Sequence, residues 1–240
     1  MSTMVLICAE TGLPLWDETQ PLPNISRRDM RGRLAVGELT ADRMLEAYPK
    51  GVFPWMSASR HFPERKLWAA TDPRYVLKRE DFYTSRSLQK SMRKFEVRFD
   101  TAYAEVLKKC ASVPRVDTIG NPCGTWIDKD FQKAYLELHQ RGYAHSVETF
   151  YDGKLVGGLM GIAMGSIFFG DSMFHTKSDA SKVALAHLAK KYENGIIDCQ
   201  MGTRHIIRMG AQSMRLENFV KVVQVAIQEE DLWKSYQISP

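Results

Sequence analysis

The predicted elements of this chain indicate an α+β fold with a mainly antiparallel sheet. Over the first 140 residues, short helical patterns alternate irregularly with extended segments. Two consecutive hairpins follow, the first turning at Asp152-Gly153, a dipeptide strongly favoured in tight hairpin turns. A helix, a short apolar strand and an amphipathic helix come after them. Hairpins grouped together and flanked by helices are typical of the α+β class.

The N-terminal third predicts an irregular arm followed by one helix and one extended segment. Residues 1–33 hold three prolines and a basic run, and we interpret them as a surface arm exposed to solvent. Thr40 can cap a helix that extends to Tyr48, and Gly51 stands where such a helix would end. The residues before Pro54 are then extended, because proline disfavours the helical conformation in the residue that precedes it.

The remaining elements follow from caps, stop signals and apolar periodicity. Up to residue 142 we expect a strand at 75–77, a helix over 85–94, a strand at 95–99, a helix that Asp100 caps and that extends to Cys110, and a helix over 128–140 that Gly142 ends. Beyond residue 142 we expect strands at 144–151, 154–163 and 167–169, a helix that Ser178 caps and that extends to Tyr192, a strand at 196–200 and a helix over 216–227.

The composition predicts a folded protein with a modest basic excess. Hydrophobic residues make up 44% of the 240 residues, which is ample for a core. The formal net charge of +5 favours an anionic partner bound at one patch of the surface. The four cysteines form no C-x-x-C pair, so we expect reduced thiols, no metal site and a cytoplasmic protein. Because no apolar run approaches the ~20 residues of a membrane span, we expect no membrane partner.

Four short strings occur in an order and spacing that resemble one enzyme family. The strings are Gly51-Val52-Phe53-Pro54-Trp55, Gly124-Thr125-Trp126-Ile127, Gly170-Asp171-Ser172-Met173-Phe174 and Asp198-Cys199-Gln200. Together they resemble the leucyl/phenylalanyl-tRNA–protein transferases over residues 34–213. The resemblance implies a small N-terminal domain, which we place at residues 1–85, and an acetyltransferase-like (GNAT) domain at residues 86–240.

The resemblance also implies an aminoacyltransferase that needs no cofactor. Such enzymes move leucine, phenylalanine or methionine from an aminoacyl-tRNA to the N-terminal α-amine of an acceptor protein or peptide. The new peptide bond marks the acceptor for degradation as an N-degron. Because the tRNA ester is already activated, catalysis reduces to placing a neutral amine against the ester and stabilising the oxyanion that forms.

The string Asp198-Cys199-Gln200 holds the candidate catalytic groups. On a regular strand, the side chains of Asp198 and Gln200 point to one face and that of Cys199 to the other. A carboxylate and an amide beside two isoleucines are costly to bury without a function, although a polar strand end is an alternative. The resemblance implies the catalytic pair. We assign Gln200 to hydrogen bonding the amine and Asp198 to relaying its proton, and we expect no thioester on Cys199.

The other strings hold candidate substrate-binding groups. Asp171 stands where the resemblance implies a glutamate, and we expect it to attract a cationic acceptor residue or to hold Gln200. Tryptophans can stack on the adenosine at the tRNA 3′ end, and apolar side chains can form the amino-acid pocket. The resemblance implies these roles for Trp55, Trp126, Leu159, Met173, Phe174 and Leu188.

A basic stripe is the candidate surface for the body of the tRNA. Arg86, Lys90, Arg93 and Lys94 stand at helical spacing on one face of the helix predicted over 85–94. Such a stripe is often only a solvated face, but the resemblance implies a basic cluster here that contacts the acceptor stem. Phosphate contacts of this kind carry no sequence information, so they would suit several tRNAs.

Three alternatives to protein aminoacylation remain open from the sequence. Arg204 and Arg208 follow the catalytic string and would repel a basic acceptor, which favours a small-molecule amine as an alternative acceptor. An acyl-CoA acetyltransferase would need a glycine-rich turn before Ser178, and this turn is missing from the sequence. A non-catalytic RNA-binding module would use the basic stripe and the tryptophans but would need neither Asp198 nor Gln200.

Overall fold

The computed structural model describes residues 7–17, 21–58, 61, 64–113 and 125–235. Gly124, the first residue of one family string, lies outside the described residues. The described strands are β1 (Leu15–Trp16), β2 (Arg33–Glu38), β3 (Phe53–Ser57), β4 (Arg65–Ala69), β5 (Arg74–Lys78), β6 (Glu96–Phe99), β7 (Ala144–Tyr151), β8 (Lys154–Met164), β9 (Ile167–His175), β10 (Ile196–Gln200) and β11 (Gln212–Met214). The described helices are α1 (Ala41–Ala47), α2 (Arg86–Met92), α3 (Tyr103–Ala111), α4 (Lys129–Gln140), α5 (Ala180–Lys191), α6 (Arg204–Arg208), α7 (Leu216–Ala226) and α8 (Leu232–Ser235).

The strands in the described part of the chain form two sheets. The smaller sheet has the order β1-β2-β4-β3, in which only β1 and β2 are parallel. The larger sheet has the order β11-β5-β10-β9-β8-β7-β6. Within it, β9 and β10 are parallel and every other pair is antiparallel. The predicted α+β class with a mainly antiparallel sheet is therefore confirmed.

Two apolar cores lie on opposite faces of the larger sheet. Phe169 of β9 joins a core that also holds Trp68 of the smaller sheet. Its neighbour Phe168 joins a second core, which α5 covers. Because consecutive strand residues point to opposite faces, one dipeptide contributes to both cores. The first core therefore joins the smaller sheet to the larger one.

Most predicted elements are present within one or two residues of their predicted bounds. The Thr40 hydroxyl accepts from the backbone N–H of Arg43 at 3.2 Å and caps α1, while Gly51 adopts a φ of 74° beyond a short 3₁₀ turn. Asp152 and Gly153 form the predicted hairpin turn with φ values of 50° and 70°. The strand at 196–200 and the helix over 216–227 are confirmed as β10 and α7.

Two predicted helix caps are wrong. Helix α3 begins after Ala102, and Asp100 instead accepts hydrogen bonds from the Ser146 backbone N–H at 2.8 Å and the Trp233 indole at 2.8 Å. Helix α5 begins after Asp179, which has a φ of 67°, and not after Ser178. Asp100 does not cap α3, because its carboxylate binds partners that are distant in the sequence. Helix α5 begins one residue later than the cap rule predicts.

The N-terminal arm is not wholly exposed to solvent. Trp16 of β1 is buried against Trp68, with ring centroids 4.6 Å apart. Arg28 of the basic run forms a 2.6 Å ion pair with Asp72. The arm is thus partly anchored, because burying an indole offsets the cost of ordering the chain.

The position of β5 bears on how the chain divides into domains. This strand precedes residue 86, yet it pairs with β10 and β11 in the larger sheet. The division at residues 85 and 86 stays a prediction. Among the described helices, none combines the length and the apolar character needed to cross a membrane.

Candidate active site

A cavity of about 260 Å³ opens where β9 and β10 stop pairing. Their parallel register ends at the pair Phe169 and Asp198, beyond which β9 continues and β10 bulges. The gap exposes side chains of both strands to the same space. Eight of the nine predicted catalytic and substrate-binding residues lie in its wall: Trp55, Trp126, Leu159, Asp171, Met173, Leu188, Asp198 and Gln200.

Phe174 is the predicted substrate-binding residue that lies outside this cavity. Met173 reaches the cavity and the core beneath α5, whereas Phe174 packs into the core on the other face of the sheet. The alternation of side chains along β9 accounts for the difference. Phe174 lines a neighbouring groove beside Lys109, whose ammonium lies 5.9 Å from its ring centroid.

Asp198 is a fully buried carboxylate held by an arginine. Its Oδ1 and Oδ2 accept hydrogen bonds from Nε and Nη2 of Arg74 at 2.8 and 2.6 Å. Both residues are 0% exposed. Arg74 was not predicted as a site residue, because the cation Lys78 at the other end of the same strand is exposed and the local sequence does not distinguish the two.

Gln200 departs from regular strand geometry. Its φ is 56°, and the register between β10 and β5 shifts between residues 198 and 200. Its backbone N–H donates to Asp198 Oδ1 at 2.9 Å, and its side-chain Nε2 donates to Asp171 Oδ1 at 2.8 Å. The bulge brings the Gln200 amide to the polar end of the cavity.

Cys199 keeps the side-chain alternation of a strand, since it packs in the same core as Ile197, and it still lies beside the site. We expected its thiol to face away from the site, but Cys199 lies in the cavity wall and packs in the core with Met173. Burial, and secondarily the nearby Asp198 carboxylate, raises the pKa of the Cys199 thiol far above its usual range. The thiol is therefore protonated near neutral pH and is a poor nucleophile.

Asp171 is the polar centre of the site. Its Oδ1 accepts hydrogen bonds from the Tyr48 hydroxyl at 2.9 Å and from Gln200. Its Oδ2 is buried and has no hydrogen-bond partner within the described part of the chain. Burial raises the pKa of the Asp171 carboxyl to about 7, although the hydroxyls of Tyr48 and Tyr135 favour its charged form. Tyr48 was not predicted as a site residue, because its partner Asp171 is 123 residues away in the sequence.

Comparison with known proteins identifies the family to which the chain belongs. Residues 76–224 match the family model for the leucyl/phenylalanyl-tRNA protein transferase, and residues 37–69 match that for the N-terminal domain of the same transferase. The chain belongs to this family. A leucyl/phenylalanyl-tRNA–protein transferase of Azoarcus sp. (strain BH72) is 47% identical, over 86% of this chain and 88% of that protein. One of Dechloromonas aromatica (strain RCB) is 45% identical, over 83% and 84%.

Family membership makes the chain an aminoacyltransferase, as the four strings predict. Among solved structures, a GCN5-related N-acetyltransferase-like protein from Streptococcus suis 89/1591 is 14% identical. The alignment covers 75% of this chain and 68% of that chain, with a TM-score of 0.32.

The apolar half of the cavity suits a single hydrophobic side chain. Leu159 and Leu188 are buried and form its floor, whereas Met173 is half-buried and presents surface to the cavity. The volume of about 260 Å³ lies just below the range for small-molecule pockets, about 300–1,000 Å³. Flexible methionine allows such a pocket to fit both branched and aromatic side chains.

Two half-buried indoles lie in the wall of the same cavity. Trp55 comes from β3 of the smaller sheet, and Trp126 precedes α4. Trp126 packs edge-on against Phe131, with ring centroids 5.0 Å apart. Both indoles keep exposed surface, which a fully buried core tryptophan would not.

The predicted basic stripe is exposed and borders a basic groove. Arg86 and Lys90 lie on α2, whereas Arg93 and Lys94 follow its end. None of these four cations forms an ion pair with another described residue, and all four are exposed. The N-terminal end of α2 lines a groove with Lys182, Arg204, His205 and Arg208, and His205 also lies in the wall of the main cavity. The groove also holds Asp179, which pairs with Lys182 at 2.8 Å, so Arg204 and Arg208 supply its remaining cations between α2 and the site.

Proposed function

We propose that this chain transfers a hydrophobic amino acid from an aminoacyl-tRNA to the N-terminal α-amine of a protein or peptide. One observation carries the proposal: the Gln200 amide and the Asp171 carboxylate meet at the polar end of an apolar cavity whose wall includes two indoles. Membership in the transferase family supports it. We place the reaction in the cytoplasm, where aminoacyl-tRNAs are made, and the product in the N-degron pathway.

The donor would occupy the apolar half of the cavity. Its amino-acid side chain would lie against Met173, above Leu159 and Leu188, and its terminal adenosine would stack on Trp55 and Trp126. Stacking of a base on an aromatic side chain contributes roughly 1–3 kcal/mol. One methylene in an apolar pocket changes binding by only about 1–3 kcal/mol, so leucine, phenylalanine and methionine are all expected donors.

The acceptor amine would meet the ester beside Gln200. An α-amine has a pKa of about 7.7–8.0, so part of it is neutral at physiological pH. Because Nε2 of Gln200 is bonded to Asp171, its Oε1 is left to accept a hydrogen bond from the amine. The amine nitrogen attacks the ester carbon and the C–N bond forms, the C–O bond to the ribose breaks with its electron pair, and the proton that the nitrogen loses ends on the ribose hydroxyl. The Asp171 carboxylate behind Gln200 stabilises the positive charge that builds on the attacking nitrogen.

The body of the tRNA would lie along the basic surface. The four cations Arg86, Lys90, Arg93 and Lys94 are exposed without ion-pair partners among the described residues, so phosphates can bind them without displacing an acid. The groove with Lys182 and Arg204 leads from α2 toward the cavity. Such contacts position the acceptor stem and leave the choice of amino acid to the pocket.

The comparisons favour a protein acceptor over a small-molecule amine. The relatives at 47% and 45% identity are named as protein transferases. The cations Arg204 and Arg208 that suggested a small amine lie in the groove that α2 borders, where they suit the tRNA.

A transfer assay tests the proposal. Purified protein would receive leucyl-, phenylalanyl- or methionyl-tRNA together with peptides that begin with lysine, arginine or aspartate, or with small amines. We expect transfer to peptide N-termini, and a large loss in Gln200→Ala with tRNA binding retained. Transfer to small amines alone would support the alternative acceptor. Binding of tRNA without any transfer would instead indicate a non-catalytic RNA-binding module.

A further inference from the structure

One buried guanidinium, which the proposed reaction does not use directly, touches three parts of the site. Arg74 of β5 forms the bidentate ion pair with Asp198, and its Nη1 donates to the Gly51 carbonyl at 3.3 Å. Its guanidinium carbon lies 4.8 Å from the ring centroids of both Phe53 and Phe219. A planar guanidinium bonded at its edge and packed between two aromatic faces is fixed in position.

This arrangement limits what Asp198 can do. Both of its oxygens accept from Arg74, and the carboxylate is 0% exposed. The guanidinium neutralises its charge in place, so Asp198 is poorly suited to take a proton from the incoming amine. Among the described residues, its other side-chain hydrogen bond is the one that Oδ1 accepts from the Gln200 backbone N–H at 2.9 Å.

That hydrogen bond acts on a strained residue. Gln200 has a φ of 56°, in the left-handed region that side chains other than glycine seldom adopt. Such a conformation persists only where the surroundings fix it. Here the bond from Asp198 fixes the backbone, and the bond to Asp171 at 2.8 Å then orients the side-chain amide.

We propose that Arg74 is a positioning residue for the transfer reaction: it clamps Asp198, which in turn holds the Gln200 backbone so that the amide faces the amine. Asp198 then acts through Gln200 and not as a base. The inference rests on the proposed function, since it assigns how Gln200 is held during that reaction.

The clamp also reaches the donor side of the cavity. Gly51 and Phe53, which Arg74 contacts, belong to the segment that leads into Trp55. The same guanidinium therefore fixes the strand of the adenosine-stacking indole and the strand of the amine-orienting amide. Arg74 of β5 thus contacts both β3, through Phe53, and β10, through Asp198.

Two double variants separate positioning from charge. Arg74→Met alone leaves the Asp198 charge buried without its partner, which strongly destabilises the fold, so both charges are removed together. Arg74→Met/Asp198→Asn removes both charges but keeps an oxygen that can accept from the Gln200 N–H. Arg74→Met/Asp198→Leu removes both charges and that acceptor. Thermal unfolding would establish that both double variants are folded before kcat and KM are measured with leucyl-tRNA and a lysine-initiated peptide.

We expect the Leu double variant to lose roughly 100-fold in kcat, the loss that a misplacement of about 1 Å can cause. Both double variants should raise the KM for leucyl-tRNA to the same extent, because both remove the contacts of Arg74 beside Trp55, but the Asn double variant should lose only about tenfold in kcat. In a Gln200→Ala background, the Leu pair should cause no further loss in kcat, because the clamp acts on kcat through Gln200.

Three results would overturn the inference. A folded Leu double variant with near wild-type kcat would make the ion pair merely structural. Equal losses in the Asn and Leu double variants would show that the Asp198 charge itself takes part. A further loss in the Gln200→Ala background would show a route that bypasses Gln200. If the wild-type protein transfers nothing to any peptide, the proposed function fails first, which is a different outcome from each of these.

Discussion

At the residue scale, the ionisation of Asp171 predicts how transfer depends on pH. Burial raises the pKa of this carboxyl to about 7, and only its charged form can stabilise the positive charge that builds on the attacking amine behind Gln200. Transfer should therefore rise with pH through about 7. The amine of the acceptor titrates at about 7.7–8.0 and adds a second rise.

The variant Asp171→Asn separates these two titrations. We expect it to lower kcat and to leave only the inflection of the acceptor amine in the pH profile. A profile of kcat against pH for both proteins, with peptide and leucyl-tRNA saturating, gives the measurement. Persistence of the lower inflection in Asp171→Asn would assign it to another group and contradict the role given to Asp171.

The same shift predicts a pH dependence of stability. A carboxyl whose folded pKa is raised stabilises the fold below its unfolded pKa, near 3.8, and this stabilisation is lost as the pH rises through about 7. The contribution of Asp171 to the free energy of unfolding should therefore fall between about pH 4 and pH 7. Urea unfolding at several pH values, with Asp171→Asn as the control, measures it. An equal pH dependence in both proteins would contradict the prediction.

Residue-level sequence reasoning found the reactive groups but not what holds them. The family strings predicted Asp171, Asp198 and Gln200, and all three line one cavity. Cys199 was placed away from the site because strand alternation does not predict that the cavity extends to the face on which Ile197 and Cys199 pack. Arg74 was missed because its partner lies 124 residues away, and local patterns carry no information on such a pairing.

At the element scale, helix α2 predicts how tRNA binding depends on salt. Arg86→Glu/Lys90→Glu should weaken tRNA binding and lower the slope of log affinity against log salt by about one per lost phosphate contact. A matched control, Lys154→Glu/Lys221→Glu, makes the same charge change at exposed lysines on β8 and α7. Filter binding of leucyl-tRNA at several salt concentrations measures the affinity of the wild type and of both double variants. If both double variants weakened tRNA binding equally, the effect would arise from net charge and not from the position of the stripe.

The short helix α8 predicts a second element-scale effect. The Trp233 indole stacks on His145 at 4.4 Å and on Phe168 at 5.6 Å between ring centroids, and Phe168 lies in the cavity wall. The indole N–H of Trp233 donates to Asp100 Oδ2 at 2.8 Å. Trp233→Ala should lower the free energy of unfolding by about 3–5 kcal/mol, because it removes a buried ring.

Urea unfolding measures the effect of this change, and Trp233→Phe provides the matched control. The phenylalanine keeps an aromatic ring and loses the indole N–H, so it should cost less than the alanine. An unfolding free energy of Trp233→Ala within 1 kcal/mol of the wild type would show that α8 is a peripheral element.

Elements with caps and stop signals could be predicted, and those whose polar residues find distant partners could not. Strand β4 begins with Arg65-Lys66, which no strand pattern favours. Lys66 is nevertheless fully buried, and its ammonium lies 2.7 Å from Asp128 and 2.9 Å from Asp130 at the start of α4. Ion pairs with residues more than 60 positions away thus outweigh the low strand propensity of the local sequence.

At the scale of the whole molecule, the cavity collects strings that are far apart in the sequence. Trp55 comes from β3, Trp126 precedes α4, Asp171 lies on β9 and Gln200 on β10. The order of the strings predicted the family, but their meeting depends on where the parallel pair β9 and β10 separates. At that point β10 bulges against β5 and β9 bulges against β8, and sequence patterns reveal neither irregularity.

The central claim is that Gln200 aligns an amine against a tRNA-linked ester held in this cavity. The most direct measurement is the single-turnover rate of peptide-bond formation from bound leucyl-tRNA to a lysine-initiated peptide, for wild type and Gln200→Ala. We predict that Gln200→Ala binds leucyl-tRNA as wild type does and forms the bond roughly 100-fold more slowly. Equal rates in the two proteins, with equal tRNA binding, would contradict the account.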